Sequence, residues 1–238
     1  MGASVNRIRE EFDRIALLDE RHGGGAGEVY YGYLARQLPP SPERVLEVGC
    51  GTGAFTRRVA ARAQGVLAVD LSPQMIRVAE SQTAGYKNIE YLPGDVMRLP
   101  LPAGGFDCVV SIATLHHLPL AEALSKMKGA LRPGGVLIIH DLIADAGVAD
   151  RALSALAYPL SVARRLLKTG RARMPRESRE AWAEHGKNEV YLTRAGVREM
   201  CEKHLPSAHV KRHLFWRYTV VWRNHAVADS DVRGGGRR

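Results

Sequence analysis

The stretch VLEVGCGTGAF, Val45 to Phe55, limits the architecture of this chain more than any other. Val45, Leu46 and Val48 read as a buried parallel strand. GCGTG then turns the chain tightly and leaves its backbone bare of side chains, and Ala54 to Ala63 restarts as a helix. Strand, glycine turn and helix in that order place free backbone N–H groups at the mouth of a sheet, where a nucleotide-like ligand can approach closely. Gly49, Gly51 and Ala54 also fit the relaxed dinucleotide fingerprint, with an acid about twenty residues further on. Taken alone, the turn leaves a dinucleotide, another adenosine-containing cofactor and a plain structural turn open.

The neighbouring segments repeat the alternation. VLAVD forms a second strand ending at Asp70, after which Ser72 and Pro73 start a helix that carries Met75, Ile76 and Ala79 inward. Asn88 to Leu92 reads as a third strand closed by Gly94 and Asp95, and FDCVVS as a fourth that stops at Ser111. ATLHHLP makes the exit, Leu120 to Leu131 a helix, RPGG (Arg132 to Gly135) a turn, and VLIIHD a fifth strand. Strands and helices alternating at this spacing predict a parallel sheet covered on both faces, with its ligand at the carboxyl ends of the strands.

Before that region, Val5, Ile8, Phe12, Ile15 and Ala16 recur at helical spacing, and HGGGAG (His22 to Gly27) follows as a connecting loop or a hinge. Beyond it, Arg151 to Leu167 predicts a helix interrupted at Pro159, then a basic, loop-like KTGRARMPRESRE and a helix started by Thr193. Ala208 to Asn224 alternates like two neighbouring strands, and residues 226–238 are expected to form a flexible tail. The 238 residues suit one core: a single domain with an N-terminal helical lid over residues 1–40.

The net charge of +9 is unevenly placed. From Arg151 onward there are 19 Lys and Arg against 8 Asp and Glu, whereas the first 150 residues carry a small negative excess. A solvated basic face explains such an excess more economically than a groove for phosphates, so nucleic acid is not the expected partner. No apolar run reaches the length of a membrane span, which leaves at most a weak peripheral contact. Cys50, Cys108 and Cys201 show no paired spacing, pointing to a reducing, cytoplasmic setting.

Five ordered motifs, VLEVGCGTGAF, AVDLSPQMI, YLPGDVMRLPLPAGGFDCVVS, LHHL and LRPGGVLIIHD, resemble those of the class I S-adenosylmethionine-dependent methyltransferases. The likeness is to the group containing the ubiquinone, menaquinone and many small-molecule methyltransferases, and covers Glu43 to about Leu142. It implies an α/β, Rossmann-like, seven-stranded and mostly parallel sheet with helices on both faces and an antiparallel C-terminal hairpin. It implies S-adenosyl-L-methionine as cofactor, S-adenosyl-L-homocysteine as product, and an inserted substrate cap over residues 150–190. By matching positions, Gly49, Cys50 and Gly51 would line the methionine part, Glu47 would organise its amino end, and Gly53 would let the helix pack closely. Asp70 would accept from the ribose hydroxyls and Asp95 from the adenine amino group, with Leu71, Met75 and Val96 around the ring and Ser111 touching the cofactor. Asp70 and Asp95 also fit ordinary strand-end caps, and Met75 fits core filler.

His116, His117 and Asp141 stand where an acceptor would approach and are the candidate catalytic residues, while His140 reads as buried. No metal is expected, because no local ligand spacing supports one. Motifs of base, arginine or cytosine-C5 methylation are missing, which leaves methyl transfer to O, N or C of a small molecule, by a monomer or homodimer. The competing readings are a non-methylating rearrangement or cyclisation on the same fold, a binding protein without transfer, and a nicotinamide-dependent oxidoreductase.

Overall fold

The computed structural model describes residues 2–22, 27–145, 147–187 and 189–225. The chain opens with α1 (Gly2–His22), a short 3-10 turn (Gly27–Tyr30) and α2 (Tyr31–Ala35). The alternating region follows: β1 (Arg44–Val48), α3 (Thr56–Ala60), β2 (Gly65–Asp70), α4 (Pro73–Ser81), β3 (Ile89–Pro93) and β4 (Phe106–Ile112). A 3-10 turn at Leu115–His117 leads to α5 (Leu120–Ala130) and β5 (Leu131–Leu142). Helices α6 (Val148–Thr169), α7 (Arg176–Gly186) and α8 (Arg194–His204) precede β6 (His209–His213) and β7 (Arg217–Arg223).

All seven strands form one sheet in the order β3-β2-β1-β4-β5-β7-β6. The first five are parallel, and β7 runs antiparallel to both β5 and β6. The expected fold class is thus the observed one. The order reverses between β1 and β4, and a crevice opens beyond the carboxyl ends of strands at such a point.

Successive residues of the inner strands feed opposite cores. Leu46, Val109, Leu137 and Ile139 pack with Leu124 and Met127 of α5 and with Val197 and Met200 of α8. Val45, Cys108, Val110 and Ile138 pack with Leu34 of α2 and Phe55 and Val59 beside and within α3. A third cluster joins Ile15, Ala16 and Leu18 of α1 to Met75 of α4 and Ala181 of α7. It anchors the opening helix across the mouth of the crevice.

Three local expectations need correction. Helix α6 runs unbroken through Pro159; an exposed proline removes one hydrogen bond but leaves the rest of a 22-residue helix intact. RPGG lies inside β5 rather than in a turn: Leu131 pairs with Phe106, the register shifts, and Val136 pairs with Cys108. The helix after the glycine turn is short, with Ala54 and Phe55 still in the turn ahead of Thr56. The glycines of HGGGAG at positions 23 to 25, and the tail 226–238, lie outside the described residues.

Candidate active site

The glycine turn is fixed by what surrounds it. Gly49 has φ 74°, and a Cβ there would lie 1.9 Å from Thr114 Oγ1, so only glycine admits the exit of β4 so close to β1. Gly49 N and Cys50 N both donate to the Val69 carbonyl, at 2.8 and 3.0 Å. Gly53 packs rather than binds: a Cβ there would meet Tyr91 Oη at 2.5 Å and the Ala79 Cβ at 3.1 Å, and it does not line the cavity.

Asp70 reaches back from the end of β2. Its Oδ2 accepts from Gly51 N at 2.8 Å and its Oδ1 from Ser72 N at 2.9 Å, so the carboxylate ties the turn to the start of α4. Burial raises its pKa to about 6, opposed by those two N–H groups. Glu47 on β1 is 1% exposed. Burial, then the charge of Asp70, pushes it up to about 8, and its Oε2 has no hydrogen-bond partner. Asp95 Oδ1 accepts from Met97 N at 2.9 Å, the local cap that its position also allowed.

These residues line a cavity of about 1240 Å³. One half holds Glu47, Gly49, Cys50, Gly51, Asp70, Leu71, Met75, Asp95 and Val96. The other is bounded by Phe12 of α1, His116 and His117 after β4, Trp182 and His185 of α7, Tyr191, and Arg217 of β7. Its volume exceeds that of a pocket for one ordinary small ligand, about 300–1,000 Å³, and suits two side by side. Ala113, with φ 51°, and Thr114 also line the cavity.

Two expected site residues fall elsewhere. Ser111 is 1% exposed with its Oγ unpartnered, and it does not line the cavity; the β4 residues that do begin at Ile112. Asp141 is also buried away from the cavity. Its Oδ2 accepts from His116 N at 3.0 Å and its Oδ1 lies 2.7 Å from His116 Nδ1, so it positions that histidine instead of meeting an acceptor. His140 is buried against Thr219, 2.9 Å away, as its pattern implied. Burial, followed by the proximity of His116 and His185, lowers the pKa of His117 to about 2.

Sequence reasoning placed His185 only within the candidate cap segment and gave Glu189 and Arg217 no site role of their own. His185, in the last turn of α7, and Glu189, in the segment after it, come to the paired histidines, and no spacing in the chain announces that meeting. Arg217 had a weak signal as a charged residue opening a strand whose middle is mostly apolar. Its Nη1 is shielded from solvent and has no hydrogen-bond partner.

The strand order, the antiparallel last pair and the glycine crevice make a Rossmann-like fold, one shared with solved methyltransferase structures. Residues 46–139 match the family model described as a methyltransferase domain. An uncharacterized methyltransferase of Mycobacterium tuberculosis is 40% identical over 111 residues, 46% of this chain and 56% of that protein. A demethylmenaquinone methyltransferase of Tropheryma whipplei is 31% identical over 141 residues, 56% of this chain and 55% of that protein. The chain thus spans about half the length of the curated relatives it matches. Among solved structures, the N-methyltransferase NodS of Bradyrhizobium japonicum, in complex with S-adenosyl-L-homocysteine, superposes with a TM-score of 0.62. It is 18% identical, covering 91% of this chain and 97% of that one, a likeness of fold.

Proposed function

We propose that this protein transfers the methyl group of S-adenosylmethionine to a small acceptor carrying an anionic group. The observation that carries this reading is the single cavity with two unlike halves. The glycine-turn half offers bare backbone for the methionine part at Gly49, Cys50 and Gly51, and the unpartnered Glu47 oxygen for its ammonium group. Asp70 keeps lone pairs for the ribose hydroxyls beyond the two backbone bonds it makes. Asp95 stands ready for the adenine amino group, with Leu71, Met75 and Val96 along the ring.

In the acceptor half, the unpartnered Arg217 nitrogen suits a carboxylate or phosphate oxygen. Transfer is an in-line displacement, in which the acceptor's electron pair bonds the methyl carbon as the carbon–sulfur pair withdraws onto sulfur. The protein contributes chiefly alignment, a term worth about 7–11 kcal/mol in favourable cases. Residues 1–40 act as a lid, since α1 lies on both α4 and α7, and residues 150–190 act as a cap over the acceptor half. Among the described residues no helix is long and apolar enough to cross a membrane. All three cysteines are free and buried, in keeping with a reducing cytoplasm.

Calorimetry against S-adenosylhomocysteine and NAD tests the reading. Binding of the first without the second is expected, with Asp70→Asn weakening it about tenfold or more, as for a lost charge-assisted hydrogen bond. Preference for NAD, or no affinity for either, would overturn it.

A further inference from the structure

We infer that His116, His117, His185 and Glu189 form a binding site for a divalent transition-metal ion of the zinc type, at the acceptor side of the cavity. One ring nitrogen from each histidine lies within 4.8 Å of the other two. The Glu189 carboxylate stands among them, 3.8 Å from His116 Nε2, 3.0 Å from His117 Nδ1 and 4.0 Å from His185 Nε2. Four such donors around zinc, each about 2.0–2.2 Å from the ion, stand about 3.3 Å apart at the corners of a tetrahedron. The separations of the Glu189 oxygens from the three rings, 3.0 to 4.0 Å, bracket that edge.

Two outer carboxylates aim the rings. Asp141 Oδ1 lies 2.7 Å from His116 Nδ1, and Glu11 Oε2 lies 2.8 Å from His185 Nδ1. A carboxylate only accepts, so each of these Nδ1 atoms carries the proton and each Nε2 presents a lone pair toward Glu189. Carboxylates placed behind imidazoles in this way fix the tautomer of metal-ligating histidines and raise their basicity.

His117 supplies an independent sign. Its side chain is 7% exposed, yet neither ring nitrogen makes a hydrogen bond, although Nδ1 is close to Glu189. Buried polar nitrogens are nearly always satisfied in native proteins, and a cation shared with Glu189 satisfies this one. Three imidazoles with one carboxylate suit zinc, iron, nickel or copper, whereas magnesium and calcium prefer oxygen throughout.

The chemical use of such an ion rests on the methyl-transfer reading, but its binding does not. The three histidines line the cavity, so an acceptor can reach the ion as a fifth ligand. An acceptor hydroxyl held there releases its proton to solvent more readily. The oxygen lone pair then forms the bond to the methyl carbon, and the pair of the broken carbon–sulfur bond stays on sulfur, leaving an ether and a neutral thioether.

The test is titration of chelator-treated, full-length protein with cobalt(II) and zinc(II) chloride, read by visible absorption, by competition with a chromophoric chelator and by elemental analysis. About one equivalent per chain is expected, with the d–d absorption of a four- or five-coordinate cobalt centre. His117→Gln, His185→Gln and Glu189→Gln should each weaken binding about a hundredfold or more. His209→Gln, at an exposed position outside the cluster, should leave it unchanged. Affinity for S-adenosylhomocysteine and the circular dichroism spectrum report whether each variant is folded. Absence of stoichiometric metal in folded protein, or equal binding by folded triple variants, overturns the site. Metal binding without cofactor binding would instead overturn the methyl-transfer reading alone.

Discussion

Glu47 sets the charge of the crevice. Its ordinary pKa of 4.5 rises to about 8 on β1, through burial first and the neighbouring Asp70 second. Between those two values the folded chain keeps a proton that the unfolded chain has released. Stability is therefore greatest below the unfolded value and falls as pH rises through about 8. Asp70, raised to about 6, adds to the decline in the same direction. Glu47→Gln removes the larger part of it. The ligand-free variant should melt above the parent at about pH 8.5, with the gap closing near pH 4, in thermal scans across that range. An unchanged gap would place the charge burden elsewhere. At this scale the chain was legible wherever a residue's role follows from its position in a strand–turn–helix unit: Gly49, Cys50, Gly51, Asp70, Leu71 and Val96 all reach the cavity. Ser111 and Asp141 were misplaced because a strand's last residues alternate in facing, and one position decides whether a side chain meets the crevice or the packing behind it.

The elements were legible in proportion to how local their causes are. Central strands declared themselves as apolar runs, and α4 and α8 by caps that the structure retains: Ser72 Oγ accepts from Met75 N at 3.0 Å and Thr193 Oγ1 from Gly196 N at 3.2 Å. Pro159 misled because helix breaking is a local penalty that flanking turns can outweigh. Tyr158 and Leu160 beside it are 66% and 45% exposed, so the proline sits on a solvent face and holds no core together. Pro159→Ala should therefore restore a backbone hydrogen bond and stabilise the protein by about 1–3 kcal/mol, measured by urea unfolding. RPGG misled for the opposite reason. Its glycines accept a distant partner: Gly134 N donates to the Asn224 carbonyl at 2.6 Å and Asn224 N to the Gly135 carbonyl at 2.8 Å, which keeps the segment in the sheet. Sequence spacing carries no mark of that clasp, nor of the meeting of His185 with the paired histidines.

Across the whole molecule, the positive excess of the later chain acquires a position. Arg164, Arg165, Lys168, Arg171 and Arg173 line the rim of the cavity, so the face is solvated and also overlooks the entrance. A concentrated field at a cleft raises the encounter rate of oppositely charged molecules and fades with ionic strength. Arg171→Gln together with Arg173→Gln should raise KM for an anionic acceptor about three- to tenfold in low salt and leave kcat in place, the difference shrinking as salt is added. Equal KM values at every ionic strength would reduce the rim to a solubility feature.

The last strand among the described residues does not take an edge. β7 lies between β5 and β6, with Tyr218, Thr219 and Val220 fully enclosed. A nascent polypeptide emerging from the ribosome therefore holds β5 as an open, sticky border until residues 217–223 have left the exit tunnel. Premature release before that moment yields a fragment whose bare β5 is prone to pair with its siblings, and quality-control proteases would decide its fate.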